Sequence, residues 1–211
     1  MPLAIDCAAH DGRPKSAQSE PPTVGYFARI CPEKGLDQLV EAVLLLRHRL
    51  PNVRLRAGGY LGPQNQSYFN EVVRLAAPLG SGFEYVGSPD SQREKSEFLK
   101  SLDVFCLPTA YREPKGLPVL EAWANGLPII LPAHGAFPEL VASTGGGLLV
   151  APGDSTALAA ALERLLTNES LRADLAGRGY AGVRREHDLT ALARATVALL
   201  EAMLGSAKKT G

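Results

Sequence analysis

Two carboxylates, Glu113 and Glu121, stand at the ends of a run that reads Pro114-Lys115-Gly116-Leu117-Pro118-Val119-Leu120 between them, seven residues long. The apolar run 104–107 ahead of them reads as a buried strand, and Pro108-Thr109 opens a loop. Gly116 permits close backbone approach. Pro118 suits a first helical position, where no N–H is needed, and Asn125-Gly126 is a usual end for the short helix that follows. Glu113 is therefore expected in the loop at the carboxyl end of a strand, and Glu121 about one turn into the helix that leaves it. Between them the free N–H groups of the helix start make a site for an anion, most naturally a phosphate. A plainer reading fits the same spacing, since glutamates near a helix start favour its dipole while staying solvated. The rest of the chain decides between the two.

Upstream, strand-like segments at 24–28, 53–57 and 83–86 alternate with segments of helical spacing at 36–44, 68–75 and 98–102. Downstream, 129–131 and 147–150 read as the fifth and sixth strands, with a short helix at 137–141 between them. Helical segments at 154–167, 169–186 and 189–204 close the chain, and Gly145-Gly146-Gly147 reads as a turn cluster whose glycines are conformational. Six alternations of strand and helix predict an α/β, Rossmann-like domain over 23–204: a six-stranded parallel sheet with helices on both faces. In the commonest six-strand order, strands 1 and 4 lie side by side where the winding reverses, and ligands bind there, outside the carboxyl ends. The loop after strand 1 is Arg29-Ile30-Cys31-Pro32-Glu33-Lys34-Gly35, so two cations and two carboxylates are expected to converge on one crevice. That loop lacks the spaced glycines of a dinucleotide fingerprint and the lysine-serine/threonine of a Walker loop. Arg29 and Lys34 instead offer side-chain charge to a diphosphate, although a lone basic pair is also an ordinary surface feature.

Composition narrows the class. A hydrophobic fraction of 45% suits a folded core, and 22 basic against 22 acidic residues leave a formal net charge of zero, without the basic excess of a nucleic-acid binder. Cys7, Cys31 and Cys106 are odd in number and lack metal-type spacing, which fits a reduced, cytoplasmic setting and no metal site. No apolar run approaches the length of a membrane span. Residues 1–22, proline-rich through Arg13-Pro14 and Pro21-Pro22, read as an extended linker, mobile at its tip, and residues 205–211 as a flexible tail. A start of this kind points to a longer protein.

The motifs taken together resemble the C-terminal, donor-binding half of retaining glycosyltransferases with the GT-B fold. Ala28-Arg29 through Pro32-Glu33-Lys34-Gly35-Leu36-Asp37 looks like their arginine and lysine-glycine segment. Glu113 to Glu121 reproduces their pair of glutamates seven residues apart, with Gly-Leu-Pro inside and Glu-Ala at the end. Asn125 to Pro128, Gly135 to Glu139, and Gly147 to Asp154 follow in order, and Pro2-Leu3-Ala4-Ile5-Asp6 resembles the hinge that enters that domain. The likeness covers about residues 2–200. It implies that Arg29 and Lys34 hold the diphosphate of a UDP- or GDP-linked sugar and that Glu121 accepts from the ribose hydroxyls. Glu113 would position the transferred sugar with the backbone at Lys115, Gly116 and Leu117 beside Pro118. It also implies retention of anomeric configuration, transfer of a hexose to a sugar, lipid or other hydroxyl acceptor, and no cofactor. Lys115 stands where many members carry an aromatic residue, and His134-Gly135 where a glycine pair is common, so the sugar pocket departs from the pattern. The acceptor half would lie in a missing N-terminal domain, leaving this chain inactive alone, cytoplasmic, and open to peripheral membrane association in a longer protein. Two other classes share the architecture: a non-catalytic nucleotide-binding module, and a sugar-nucleotide epimerase, whose acid and base groups cannot be placed here.

Overall fold

Strands whose residues are apolar without alternation must be buried on both faces, and the central strands of the sheet are of this kind, whereas Arg54-Leu55-Arg56 and Phe83-Glu84-Tyr85 alternate toward one edge. The computed structural model describes residues 3–207, with side chains through Glu201. The strands are β1 (Thr23–Phe27), β2 (Arg54–Gly58), β3 (Phe83–Tyr85), β4 (Val104–Cys106), β5 (Ile129–Pro132) and β6 (Gly147–Val150). They form one parallel sheet in the order β3-β2-β1-β4-β5-β6. β1 and β4 are neighbours, with Val24 opposite Val104 and Gly25 opposite Phe105. Burial is complete in central β4 and β5 and partial in edge strands β3 and β6. The six-stranded α/β architecture is as the sequence implies, and the switch point falls between the two loops that carry Lys34 and Glu113.

The helices are α1 (Leu36–Leu46), α2 (Gln66–Ala76), α3 (Gln92–Lys100), α4 (Leu117–Ala124), α5 (Phe137–Thr144), α6 (Ser155–Thr167), α7 (Glu169–Glu186) and α8 (Leu189–Ala207). α1 packs on α2 and α6, whereas α4 and α5 both pack on α7, as right-handed crossovers to the two faces require. α3 begins earlier than the apolar spacing suggests. Ser91 caps it by accepting from the Glu94 N–H, and the Glu94 carboxylate accepts from the Asp90 N–H, close to a capping box. α8 runs past the expected end at 204 to Ala207, so only 208–211 of the expected tail lie outside the described residues, as do Met1 and Pro2.

Residues 3–22 are not the loose linker their composition suggests. Ile5 exchanges backbone hydrogen bonds with the α7–α8 junction, its N–H donating to His187 O and its carbonyl accepting from Leu189 N. Cys7 and His10 are buried, and Asn125 Nδ2 at the end of α4 lies 2.8 Å from His10 Nδ1. The buried Asp103 carboxylate accepts from the amides of Ser19 and Thr23 and pairs with Lys15 at 3.2 Å. A polar, proline-rich segment can pack this way because buried partners satisfy its backbone.

Only Gly145 of the triple-glycine cluster has a positive φ, 71°. Gly146 serves close approach instead. The fully buried Trp123 donates Nε1–H to its carbonyl, and Gly179 of α7 lies so near that an added Cβ would come within 2.1 Å of Trp123 Cδ1. Gly179→Ala is therefore expected to cost about 2–3 kcal/mol, the upper part of the usual overpacking range. The measurement is urea denaturation, and an unchanged midpoint would show that α7 can shift away from α4 freely.

Candidate functional site

The loops after β1 and β4 are locked together before any side chain reaches across. Gly35, at φ 71°, ends the 3-10 turn Pro32–Lys34, and a Cβ there would sit 2.0 Å from the Pro108 carbonyl oxygen. Ala110 N–H donates to the Glu33 carbonyl at 3.0 Å. This contact turns Lys34 inward, so a lysine that would otherwise be solvated is 8% exposed. Its Nζ lies 2.5 Å from Glu113 Oε2 and 2.6 Å from the Tyr111 hydroxyl, and 4.7 Å from the centroid of the Tyr111 ring. The Tyr111 hydroxyl also donates to Glu113 Oε2.

Glu113 is not solvated, as the plainer reading would have it, but 6% exposed. Its Oε1 accepts from the backbone N–H groups of Lys115 (3.2 Å) and Gly116 (3.3 Å). The amides expected to await an external anion at the start of α4 are thus partly taken by the protein's own carboxylate, because a tight turn at Gly116, φ 73°, carries the loop back over it. Burial by itself would push the Glu113 carboxyl up. The Lys34 ammonium, the Tyr111 hydroxyl and the Gly116 amide overcome that and hold it at about 2. For Lys34 burial would lower the value, and the bonds to Glu113 and Tyr111 more than reverse it, leaving it above the ordinary 10.5.

Glu121 sits within α4, 7% exposed, with Oε1 2.9 Å from Lys95 Nζ of α3. Lys95 in turn lies over the Phe27 ring at the end of β1, 5.7 Å from its centroid. His134, in the loop after β5, has Nε2 3.0 Å from the Thr109 carbonyl, which makes that nitrogen the donor. The same loop is fixed to Glu113 by the Ala136 N–H, which donates to the Glu113 carbonyl at 2.8 Å. Arg29 and Lys115 have exposed side chains and make no side-chain hydrogen bond or ion pair among the described residues. Leu117 is 43% exposed at the first position of α4, and Pro118 follows it rather than opening the helix.

The expected convergence of Arg29 and Lys34 with Glu113 and Glu121 is not what the side chains show: Lys34 pairs with Glu113, Glu121 pairs instead with Lys95, and Arg29 joins neither pair. Tyr111 and Lys95 were not legible as site residues. The Ser91-to-Glu94 capping signal would have placed the start of α3 and so put Lys95 on a helix, whereas nothing in the loop spacing marks Tyr111. A groove of about 620 Å³ runs beside the Glu113 loop, lined by Pro114, Lys115, Ala136, Glu139, Leu140 and His187 among others. A hollow of about 380 Å³ lies at the opposite, amino-terminal edge of β2, lined by Arg47 and Arg54 but by none of these site residues. Among the described residues no helix is long and apolar enough to cross a membrane.

The family model described as glycosyl transferases group 1 matches residues 11–181. The chain is 32% identical over 180 residues to the lipopolysaccharide core biosynthesis glycosyltransferase LpsE of Rhizobium meliloti, covering 84% of this chain and 48% of that protein. Among solved structures it is similar to the C-terminal domain of a group 1 glycosyl transferase (LpcC) from Francisella tularensis, with a TM-score of 0.77 at 24% identity, covering 88% of this chain and 99% of that one. It is also similar to sucrose-phosphate synthase from Thermosynechococcus elongatus, with a TM-score of 0.80 at 25% identity over 97% of this chain and 52% of that one. The chain spans about half the length of the curated relatives it matches.

Proposed function

The chain belongs to the group 1 glycosyl transferases and has the fold of a GT-B C-terminal domain, and from that premise we propose that it is the half that binds the nucleotide-diphosphate sugar donor of a retaining glycosyltransferase. The observation that carries this reading is the buried Lys34–Glu113 pair, with the half-buried Tyr111 against it, at the carboxyl ends of β1 and β4 beside the start of α4. Breaking a glycosidic bond to a diphosphate develops negative charge on the leaving group, and fixed cations with a helix start stabilise it. Lys34 has three N–H donors, of which Glu113 and Tyr111 use two. The third is left for a phosphate oxygen. Arg29, exposed in the same loop, supplies the second cation once a ligand draws it in. Glu121 keeps Oε2 for a ribose hydroxyl while Lys95 holds Oε1. Glu113 positions the sugar, with Lys115, Gly116, Leu117, Pro118 and His134 around it.

The reaction so assigned is transfer of a hexose from a UDP- or GDP-linked donor to a hydroxyl acceptor, sugar or lipid, without a cofactor. The acceptor would be held by a partner half, so this chain alone would bind donor without turning it over. Peripheral attachment to a membrane would belong to the longer protein.

Binding is expected to depend on the second phosphate. A nucleoside diphosphate should bind at least tenfold more tightly than its monophosphate, and rising salt should narrow the ratio, since exposed Arg29 is screened. Arg29→Ala should remove part of the preference without altering the fold. The test is calorimetric titration of UMP, UDP, GMP and GDP at two salt concentrations. Equal affinity for mono- and diphosphate would overturn the assignment of the crevice.

A further inference from the structure

Glu113 already receives as many donors as a carboxylate can. Oε1 accepts from the amides of Lys115 and Gly116, and Oε2 from Lys34 Nζ and the Tyr111 hydroxyl. An ionised carboxylate offers about four lone-pair sites, and all are occupied. Glu113 can therefore grip a ligand hydroxyl only if one of these four donors leaves. The two amides belong to the backbone of the turn at Gly116, φ 73°, that leads into α4, so neither can leave without unmaking that turn. Lys34 is buried, and separating its ammonium from the carboxylate would strand two charges. The remaining donor is the Tyr111 hydroxyl, neutral and carried on a side chain that is only half-buried.

We propose that the Tyr111 hydroxyl is a stand-in for a hydroxyl of the donor sugar, holding its place between Lys34 and Glu113 until the sugar nucleotide displaces it. The inference rests on the donor-site reading above and adds the chemistry of the displacing group. Tyr111 donates to Glu113 Oε2 and accepts from Lys34 Nζ through one oxygen. A sugar hydroxyl can do both at once. An acceptor-only group, such as a carbonyl or carboxylate oxygen, cannot satisfy Glu113, and a ring carbon without a hydroxyl can satisfy neither neighbour. The position thus selects for a free hydroxyl on the transferred sugar. A bare nucleoside diphosphate does not reach it and leaves Tyr111 in place.

Tyr111→Phe removes the competing donor while keeping the ring beside Lys34. The sugar hydroxyl then meets an open lone pair on Glu113, so the affinity for a sugar nucleotide should rise about five- to tenfold, the equivalent of one hydrogen bond no longer exchanged. The affinity for the matching nucleoside diphosphate should change less than twofold. The probes are UDP with UDP-glucose and GDP with GDP-mannose, titrated calorimetrically against the parent, Tyr111→Phe and, as a control on the pocket, Arg29→Ala. The measured quantity is the ratio of sugar-nucleotide to diphosphate affinity, which a merely structural tyrosine would not move. A ratio that falls or stays constant in Tyr111→Phe, while diphosphate binding persists, overturns the stand-in and leaves the donor site intact. If the parent binds none of the four probes, the donor-site reading itself fails and takes the inference with it. If Tyr111→Phe proves unstable, Tyr111→Leu carries the same expectation for the ratio.

Discussion

Lys34→Met is expected to destabilise the domain by about 3–5 kcal/mol at pH 7, the range for breaking a buried ion pair on one side. Methionine fills much of the same space, so the loss comes from Glu113, left 6% exposed with a charge that only a hydroxyl and two amides then face. Glu113→Gln alone strands Lys34 in the same way, whereas the double substitution removes both charges. The double variant should therefore lose clearly less than the sum of the single losses, a coupling that a cycle measures directly. The pH dependence has a definite sign. Glu113 is held at about 2 in the folded chain against an ordinary 4.5, so its contribution is full above 4.5 and is lost as pH falls toward 2. Lys34 is raised above 10.5, so its contribution is full below that value and is lost only as strongly alkaline pH is reached. Urea denaturation of the parent should show stability falling between pH 4.5 and 2, and Glu113→Gln should flatten that part of the curve. A loss below about 1 kcal/mol in Lys34→Met, with no change in the acid limb, would mean the pair is solvated rather than a buried anchor.

How much of this was readable in the chain depends on where the information lies. β1, β4 and β5 are legible because each is an apolar run short enough for a strand and bounded by glycine, proline or a polar turn. Their alternation with helices gives the parallel sheet, and the winding gives the β1–β4 junction. Residues 3–22 misled because composition reports only average solvation. Their packing depends on the buried Asp103 carboxylate and on backbone exchange with the α7–α8 junction, both remote in sequence. Glu113 and Lys34 were legible as neighbours across the switch point, but their burial was not, since it follows from Gly35 closing on the Pro108 carbonyl. Tyr111 and Lys95 lie outside any periodicity that points to a ligand, and only the three-dimensional return of the loop and of α3 brings them to the two glutamates. Arg29 was expected beside Lys34 and is instead exposed, in no side-chain hydrogen bond or ion pair among the described residues.

Glu121→Ala should weaken nucleoside diphosphate binding by about 1–3 kcal/mol, roughly five- to 150-fold, the range for losing charge-assisted hydrogen bonds. The effect should sit in binding rather than in folding. Glu121 is buried, but its partner Lys95 is 24% exposed along its side chain and can turn its ammonium to water when the carboxylate goes. The fold should therefore lose only about 1 kcal/mol, the usual scale for an ion pair with access to solvent. The loss should also be specific to the ribose. In the proposed donor site, with Lys95 on Oε1, Oε2 is the acceptor left for a ribose hydroxyl, so removing the carboxylate should cost that contact and leave the proposed Lys34 and Arg29 contacts to the diphosphate unchanged. Titrating UDP, GDP and their 2′-deoxy counterparts against parent and variant separates these terms. In the parent the ribonucleotides should bind more tightly than the deoxynucleotides, and in Glu121→Ala the two should converge. Lys95→Met keeps the carboxylate but loosens it, so it should narrow the gap without closing it. If Glu121→Ala binds UDP and GDP as the parent does, Glu121 is a structural partner of Lys95 alone and the ribose must be held elsewhere on the crevice.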